Sequence, residues 1–93
     1  LAVHGAVSEA TARAMVAGAL THSAATYAVA ITGVAGPGGG SPDKPVGLVC
    51  FAWAQRGGHV ETAAHRFPGD RAEVRRASVV TALAGLHALV GAR

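Results

Sequence analysis

The chain has 93 residues, of which 51% are hydrophobic and only 14% charged, and a formal net charge of +3. A chain of this length forms one small domain at most and buries only about 60–65% of its unfolded surface. Because so many of its residues are apolar, we expect it to be part of a larger protein or to form a homo-oligomer. We expect neither nucleic acid nor a membrane as partner. The basic residues form no long stripe with interleaved aromatic side chains, and no uninterrupted apolar segment reaches membrane-spanning length.

The first half of the chain predicts a helix followed by two strands. Ser8 is a suitable N-cap, and the helical spacing of apolar residues fades near Thr21. Residues 27–32 and 48–54 are short apolar runs without polar alternation, which predicts strands covered on both faces. The apolar positions of the helix are Ala12, Met15, Val16, Ala19 and Leu20.

The second half predicts a hairpin, an edge strand and a long helix. Gly57 and Gly58 provide positive φ in a turn over 55–58, and the strand over 60–67 alternates more, as an exposed edge does. Asp70 and Glu73 have the spacing of a capping box, which begins a helix that runs from about Arg71 to Val90. Its predicted apolar face is Val79, Leu83, Leu86 and Val90.

The element order is therefore α-β-β-β-α within a single domain, without internal repeats or a linker. Two strands covered on both faces need helices on both sides, which predicts an α/β layered sheet. The single cysteine, Cys50, lies in the second strand and cannot form an internal disulfide. A lone apolar-strand thiol and the lack of a secretory signal sequence together predict a cytoplasmic protein.

A glycine-rich loop is the strongest functional signal. Five of the 13 glycines fall within residues 33–40, directly after an apolar strand. Such a loop turns its backbone N–H groups toward one point, which suits an anion; a flexible connector is the plainer alternative. A Walker A loop does not fit, because Gly39 and Gly40 occupy its Lys and Ser/Thr positions. A dinucleotide fingerprint does not fit either, because Ser41 replaces its third glycine.

Three segments of the chain form a recognisable pattern. They are Ala30-Ile-Thr-Gly-Val-Ala-Gly-Pro-Gly-Gly-Gly-Ser, Lys44-Pro-Val-Gly and Phe67-Pro-Gly-Asp-Arg-Ala-Glu-Val-Arg. Together they resemble the C-terminal domain of the CinA (competence/damage-inducible) family, whose free-standing form is nicotinamide-nucleotide amidase, and the resemblance covers essentially the whole chain. It implies a three-layer α/β/α sandwich with a mixed sheet, of which residues 1–93 are the C-terminal portion. It also implies hydrolysis of the carboxamide of nicotinamide mononucleotide to nicotinate mononucleotide and ammonia, with no cofactor and no metal.

One departure from the family pattern concerns the nucleophile. The family serine stands in a Ser-Cys-Thr-Gly-Gly-like segment, followed by an active-site tyrosine and lysine, and all of these would precede Leu1. The chain also begins without Met, so we expect its N-terminal segment, and with it the nucleophile, to be missing. Two functions then remain open: the nucleotide-binding side of an amidohydrolase, or a non-catalytic nucleotide- or phosphate-binding module of a CinA-like protein.

The candidate site residues follow from the chemistry of amide hydrolysis on a phosphorylated substrate. Thr32 would act as a supporting catalytic residue that orients the substrate amide or the serine. Arg71 and Arg75, one helical turn apart, would hold the phosphate at a helix N-terminus, and Lys44 would assist. The plainer alternatives are a strand cap for Thr32, solvated surface charges for the arginines and a loop position for Lys44. The loop amides expected to receive the oxyanion or phosphate are those of Gly33, Ala35, Gly36, Gly38 and Gly39.

Overall fold

The computed structural model describes residues 8–33 and 47–91. All five predicted elements are present in the predicted order within an α/β fold. The three strands form one sheet in the order β1-β2-β3, and within the described residues every strand pairing is antiparallel. The parallel pairing that a mixed sheet requires is therefore not among them. The elements are α1 (Glu9–Thr21), β1 (Tyr27–Gly33), β2 (Leu48–Gln55), β3 (Val60–Arg66) and α2 (Arg71–Gly91).

The central strand β2 supplies both halves of the core, because its alternate side chains point to opposite faces of the sheet. Ala52 and Ala54 face α1, where they pack with Ala12 and Val16. These small side chains allow α1 to approach closely. The opposite face of β2 carries large side chains that pack against α2, namely Val49, Phe51 and Trp53. The expectation that this strand is covered on both faces is confirmed.

Trp53 determines how α2 packs on the sheet. Its ring stacks on that of Phe51 at a centroid separation of 5.5 Å, and its indole Nε1 donates a hydrogen bond of 2.9 Å to the backbone carbonyl of Ala82. Gly85 lies where the indole meets the helix, and a Cβ atom there would overlap the ring. The helix therefore crosses the indole at Gly85, which has no side chain, while Val74, Leu86 and Leu89 also pack against the aromatic cluster.

That packing corrects the predicted face of α2. The residues it buries are Val74, Ser78 and Ala82, whereas the predicted Val79 and Leu83 are 47% and 59% exposed. The prediction was wrong because it ranked positions by hydrophobicity. Two of the three buried residues, Ser78 and Ala82, are small, since the indole already fills the space between helix and sheet. Of the other two predicted positions, Val90 is also exposed and Leu86 is half-buried.

The expectation for the first strand also needs correction. β1 lies at an edge of the described sheet and pairs on one side with β2. On the face that α2 covers, Val29 and Ile31 remain 38% and 39% exposed. The run is uniformly apolar, but α2 does not reach far enough over it to cover both side chains. β3, predicted as an edge strand, occupies the other edge.

The turns and caps follow the sequence signals. Ser8 caps α1 by accepting a hydrogen bond of 3.0 Å from the backbone N–H of Thr11. In the hairpin turn, the Gly58 N–H donates to the Gln55 carbonyl at 2.9 Å, and Gly57 alone takes positive φ, at 71°. The prediction of positive φ at both glycines was therefore half right.

Candidate functional site

A cleft of about 240 Å³ lies between the end of β1 and the first half of α2. It opens on the face of the sheet that α2 covers. Its walls combine an apolar base with two basic side chains, which is the usual composition of a small-molecule site. The apolar lining residues are Ile31, Val49, Val74 and Val79.

Arg71 and Arg75 both line this cleft. They project from the first two turns of α2, and their side chains are exposed at its outer wall. The positive end of the helix dipole adds to the attraction for an anion at this place. The structure thus brings Arg71 and Arg75, the two predicted phosphate-binding residues, to one cleft.

A capping box fixes the start of α2 and thereby the position of both arginines. The Asp70 N–H donates to Glu73 Oε1 at 2.9 Å, and the Glu73 N–H donates to Asp70 Oδ1 at 2.9 Å. Gly69 precedes the box with φ at 104°, and a Cβ atom there would collide with the Glu73 side chain. The Gly-Asp-Arg sequence therefore serves the helix start, and the predicted capping box is confirmed.

Gly33 joins the cleft to the glycine-rich loop. It is the last residue of β1 and lines the cleft beside the arginines. Its Cβ position is close to the side chain of Val49, at 3.3 Å, so a side chain at Gly33 would press on the wall of the cleft. The predicted loop residues that follow lie outside the described residues; they are Ala35, Gly36, Gly38, Gly39 and Lys44.

The β2–β3 hairpin returns the chain to the end of the sheet where β1 ends and β2 begins. Leu48 pairs with Arg66, and the Phe67 N–H donates a hydrogen bond of 2.9 Å to the Gly47 carbonyl. The residue that follows the loop is therefore tied to the segment that precedes α2. This contact explains why two segments so far apart in sequence can meet at one site.

Thr32 lies on the other face of the sheet from the arginines. It pairs with Cys50 and shares the face that α1 covers, because neighbouring residues of a strand point to opposite sides. Its hydroxyl Oγ1 is buried and has no hydrogen-bond partner within residues 8–33 and 47–91. A buried polar group is normally paired, so this hydroxyl retains its capacity to bind. Thr32 and the two arginines thus lie near the end of β1 on opposite faces of the sheet.

A second and larger cleft, about 600 Å³, lies at the opposite end of the same face. Trp53 and Gly85 form its base, and His59 Nε2 lies 3.4 Å from Glu61 Oε1 at its rim. The sequence analysis did not predict it. The available signal was the two-residue spacing of His59, which directly precedes β3, and Glu61. Within residues 8–33 and 47–91, no three metal-ligating side chains come together.

Comparisons with known proteins agree with the α/β fold. A model of the CinA C-terminal domain matches residues 1–90. A CinA-like protein of Mycolicibacterium vanbaalenii is 58% identical over 80 residues, which are 86% of this chain and 19% of that protein. A CinA-like protein of Akkermansia muciniphila is 53% identical over 83 residues, 89% of this chain and 20% of that protein. The chain belongs to the CinA family through this C-terminal domain.

Solved structures agree with this assignment. The competence/damage inducible protein CihA from Agrobacterium tumefaciens superposes with a TM-score of 0.90 and 52% identity, covering 96% of this chain and 55% of that one. A CinA superfamily protein from Klebsiella pneumoniae superposes with a TM-score of 0.84 and 49% identity, covering 92% and 53%. The chain thus spans about a fifth of its curated relatives and about half of the solved ones. Neither described helix is both long and apolar enough to cross a membrane.

Proposed function

We propose that this chain is the nucleotide-binding side of an amidohydrolase domain. The domain hydrolyses the carboxamide of nicotinamide mononucleotide to nicotinate mononucleotide and ammonia, as a cytoplasmic step of pyridine-nucleotide salvage in NAD metabolism. One observation carries the proposal: Arg71 and Arg75 line a single cleft with Gly33, where the glycine-rich loop begins. Membership of the CinA family agrees with it.

The phosphate of the substrate binds at the arginine wall. A guanidinium group binds a phosphate through two parallel N–H···O bonds, which fixes orientation as well as adding affinity. Arg71 lies at the first position of α2, so the backbone N–H groups of the first turn add to the electrostatic attraction of its guanidinium group for the phosphate. The apolar base of the cleft accepts the uncharged part of the ligand beside the phosphate.

The carboxamide extends across the end of β1 toward Thr32. Gly33 allows this crossing because it has no side chain. The unpaired Thr32 hydroxyl positions the amide, and the loop N–H groups receive the oxyanion of the tetrahedral intermediate. The resemblance implies a serine nucleophile outside this chain: its hydroxyl attacks the carbonyl carbon, ammonia leaves, and water hydrolyses the resulting ester. Holding the phosphate keeps the amide in attack geometry.

Replacement of Arg71 tests the phosphate assignment. In the complete domain, Arg71→Ala should weaken binding of nicotinamide mononucleotide about 30-fold, because a charge-assisted contact of about 2 kcal/mol is lost. Binding of nicotinamide riboside, which has no phosphate, should change less than about threefold. Calorimetric titration measures both dissociation constants.

Arg76→Ala is the matched control, since Arg76 is exposed on the same helix but does not line the cleft. It should leave both affinities within about twofold of the original. Equal losses for the mononucleotide and the riboside in Arg71→Ala, or no loss for either, would remove Arg71 from the site. Mononucleotide binding without ammonia release by the complete domain would favour the non-catalytic binding module instead.

The 93-residue chain by itself should release no ammonia from nicotinamide mononucleotide, because the serine nucleophile implied by the resemblance is not part of it. An ammonia assay against a control without protein measures this. Release above that control, abolished by Thr32→Val, would show that this chain holds a complete catalytic apparatus.

A further inference from the structure

The larger of the two clefts, which we call the Trp53 cleft, plays no part in the proposed function. Its volume of about 600 Å³ lies within the range of about 300–1,000 Å³ that is usual for small-molecule sites. Its lining residues come from β2, β3, the turn between these strands and the second half of α2. The cleft is therefore formed by one hairpin and one helix of this chain.

One face of the Trp53 indole forms the base of this cleft. Phe51 covers the opposite face, with the two rings 5.5 Å apart and nearly parallel at 7°. The Nε1 edge of the indole meets α2, where it donates to the Ala82 carbonyl and lies against Gly85. Gln55 lies two residues beyond Trp53 on the same side of β2 and also lines the cleft, so the remaining indole face is turned toward it. An aromatic ring placed there extends the stack that Phe51 and Trp53 begin.

The hairpin register places two polar side chains beside this indole face. Glu61 pairs with Trp53 across the two strands, and the Gln55 N–H donates to the His59 carbonyl at 3.1 Å. Directly opposed side chains on one face of a sheet have Cβ atoms about 4.5–5.5 Å apart. The Glu61 carboxylate thus borders the indole across the sheet, and the Gln55 amide borders it along the strand.

Both polar groups are available to a ligand. Among the described residues, the Gln55 side-chain amide makes no hydrogen bond, and the Glu61 carboxylate has one ionic neighbour, His59, whose Nε2 lies 3.4 Å from Oε1. The residues that line the cleft include no lysine or arginine. The cleft therefore offers a carboxylate acceptor and an amide beside an aromatic platform, and it disfavours phosphorylated and other anionic ligands.

We propose that the Trp53 cleft binds an uncharged aminopurine, of which adenosine is an example. The purine ring stacks on the indole face, as nucleobases stack on aromatic side chains elsewhere. One hydrogen of the exocyclic amino group is donated to the Glu61 carboxylate. The other is donated to the Gln55 amide oxygen, while the amide nitrogen donates to the neighbouring ring nitrogen, which is how glutamine recognises adenine. A purine matches the two-ring indole in area better than a pyrimidine does.

The two clefts differ in charge and therefore in ligand. Arg71 and Arg75 line the smaller cleft, whereas Glu61 is the acidic residue of the Trp53 cleft. A phosphate group favours the first cleft and adds nothing in the second. The aminopurine site thus holds or fails independently of the phosphate assignment in the smaller cleft.

Titration with adenosine, followed by tryptophan fluorescence, tests the proposal, because the single tryptophan forms the base of the cleft. We expect saturable quenching with a dissociation constant of about 0.1–1 mM. Inosine has a carbonyl oxygen in place of the amino group, so it should bind at least about tenfold more weakly. No saturable quenching by adenosine up to about 5 mM, or equal affinity for the two nucleosides, would overturn the proposal.

Adenosine monophosphate distinguishes the two clefts. It should bind no more tightly than adenosine, because the Trp53 cleft has no basic residue in its lining. Tighter binding of the monophosphate, with NMR shifts at Arg71 rather than at Gly85 and Ala88, would place the purine in the smaller cleft and overturn the proposal.

Glu61→Ala tests the role of the carboxylate. Glu61 is exposed, so the fold should persist, while the preference for adenosine over inosine should fall from about tenfold to within about twofold. Glu9→Ala is the matched control, since Glu9 accepts a hydrogen bond from Thr62 on the opposite face of the sheet. It should keep the full preference. An unchanged preference in Glu61→Ala would contradict the assigned contact.

Filling the cleft supplies a readout that removes no contact of the fold. Ala88 is exposed and lines the cleft, so Ala88→Phe should occupy the ligand volume and weaken adenosine binding at least about tenfold. Ala84→Phe makes the same substitution one turn earlier, at an exposed residue that does not line the cleft, and should bind adenosine within about twofold of the original. Circular dichroism checks that both variants are folded. Equal adenosine affinities for the two variants would overturn the proposal.

Discussion

Gly85→Ala should destabilise the fold by about 3 kcal/mol. The added methyl group would overlap the Trp53 indole, which cannot move aside because it stacks on Phe51 and donates to the Ala82 carbonyl. Relief requires α2 to lift from the sheet, which opens the aromatic core and breaks the buried hydrogen bond. Denaturant unfolding followed by tryptophan fluorescence measures the change, since Trp53 is the single tryptophan.

Gly18→Ala is the matched control, because it makes the same substitution in the other helix. Apart from the backbone of its own helix and its chain neighbours, no atom of the described residues lies within 4 Å of the Cβ position at Gly18. Alanine has the higher helix propensity, so this variant should be more stable by about 0.5–1 kcal/mol. Opposite signs for the two variants identify the indole contact as the cause. If Gly85→Ala is as stable as the original chain, Trp53 does not pack against this turn of α2.

Gly47→Ala should also destabilise the fold by about 3 kcal/mol. Gly47 has φ at 91°, a region that costs a residue with a Cβ atom about 1 kcal/mol or more. Its Cβ atom would in addition collide with the backbone carbonyl oxygen of Phe67, whose N–H donates a hydrogen bond to the Gly47 carbonyl. Backbone atoms cannot rotate away as a side chain can. Thermal unfolding by circular dichroism measures the loss.

Gly57→Ala separates the two causes. Gly57 also has positive φ, at 71°, but in the part of the chain that the structure describes, nothing beyond its chain neighbours lies within 4 Å of its Cβ position. This variant should therefore show only the conformational part, about 1 kcal/mol. Equal losses at Gly47 and Gly57 would mean that the contact between Gly47 and Phe67 contributes nothing, and that the loop end is not held to the segment before α2.

Local signals predicted the elements and the helix start well. The Asp70–Glu73 capping box depends on spacing alone, and both of its hydrogen bonds are present. The hairpin was equally predictable, because a glycine turn between two apolar runs specifies it. The hairpin brings Gly47, which follows the loop, close to the segment that precedes α2. As a result, Arg71 and Arg75 share a cleft with Gly33.

Tertiary packing was less predictable, because it depends on which side chain fills the space between layers. In the sequence, Gly85 is only a residue of low helix propensity, whereas in the structure the Trp53 indole packs against it. Val79 and Leu83 read as the core face, yet the sheet does not cover them. The face occupied by Thr32 was also not predicted, since it depends on where β1 begins and on its register with β2.

The most direct test of the central claim is where the phosphate of nicotinamide mononucleotide binds. Nitrogen–proton NMR spectra of the protein, titrated with the mononucleotide and with the riboside, locate each contact on backbone and arginine Nε–H signals. We expect saturable shifts at Arg71, Arg75 and Gly33 with the mononucleotide, and much smaller arginine shifts with the riboside. Shifts confined to the cleft around Trp53 and His59, or identical arginine shifts with both ligands, would contradict the assignment of this cleft to a nucleotide phosphate.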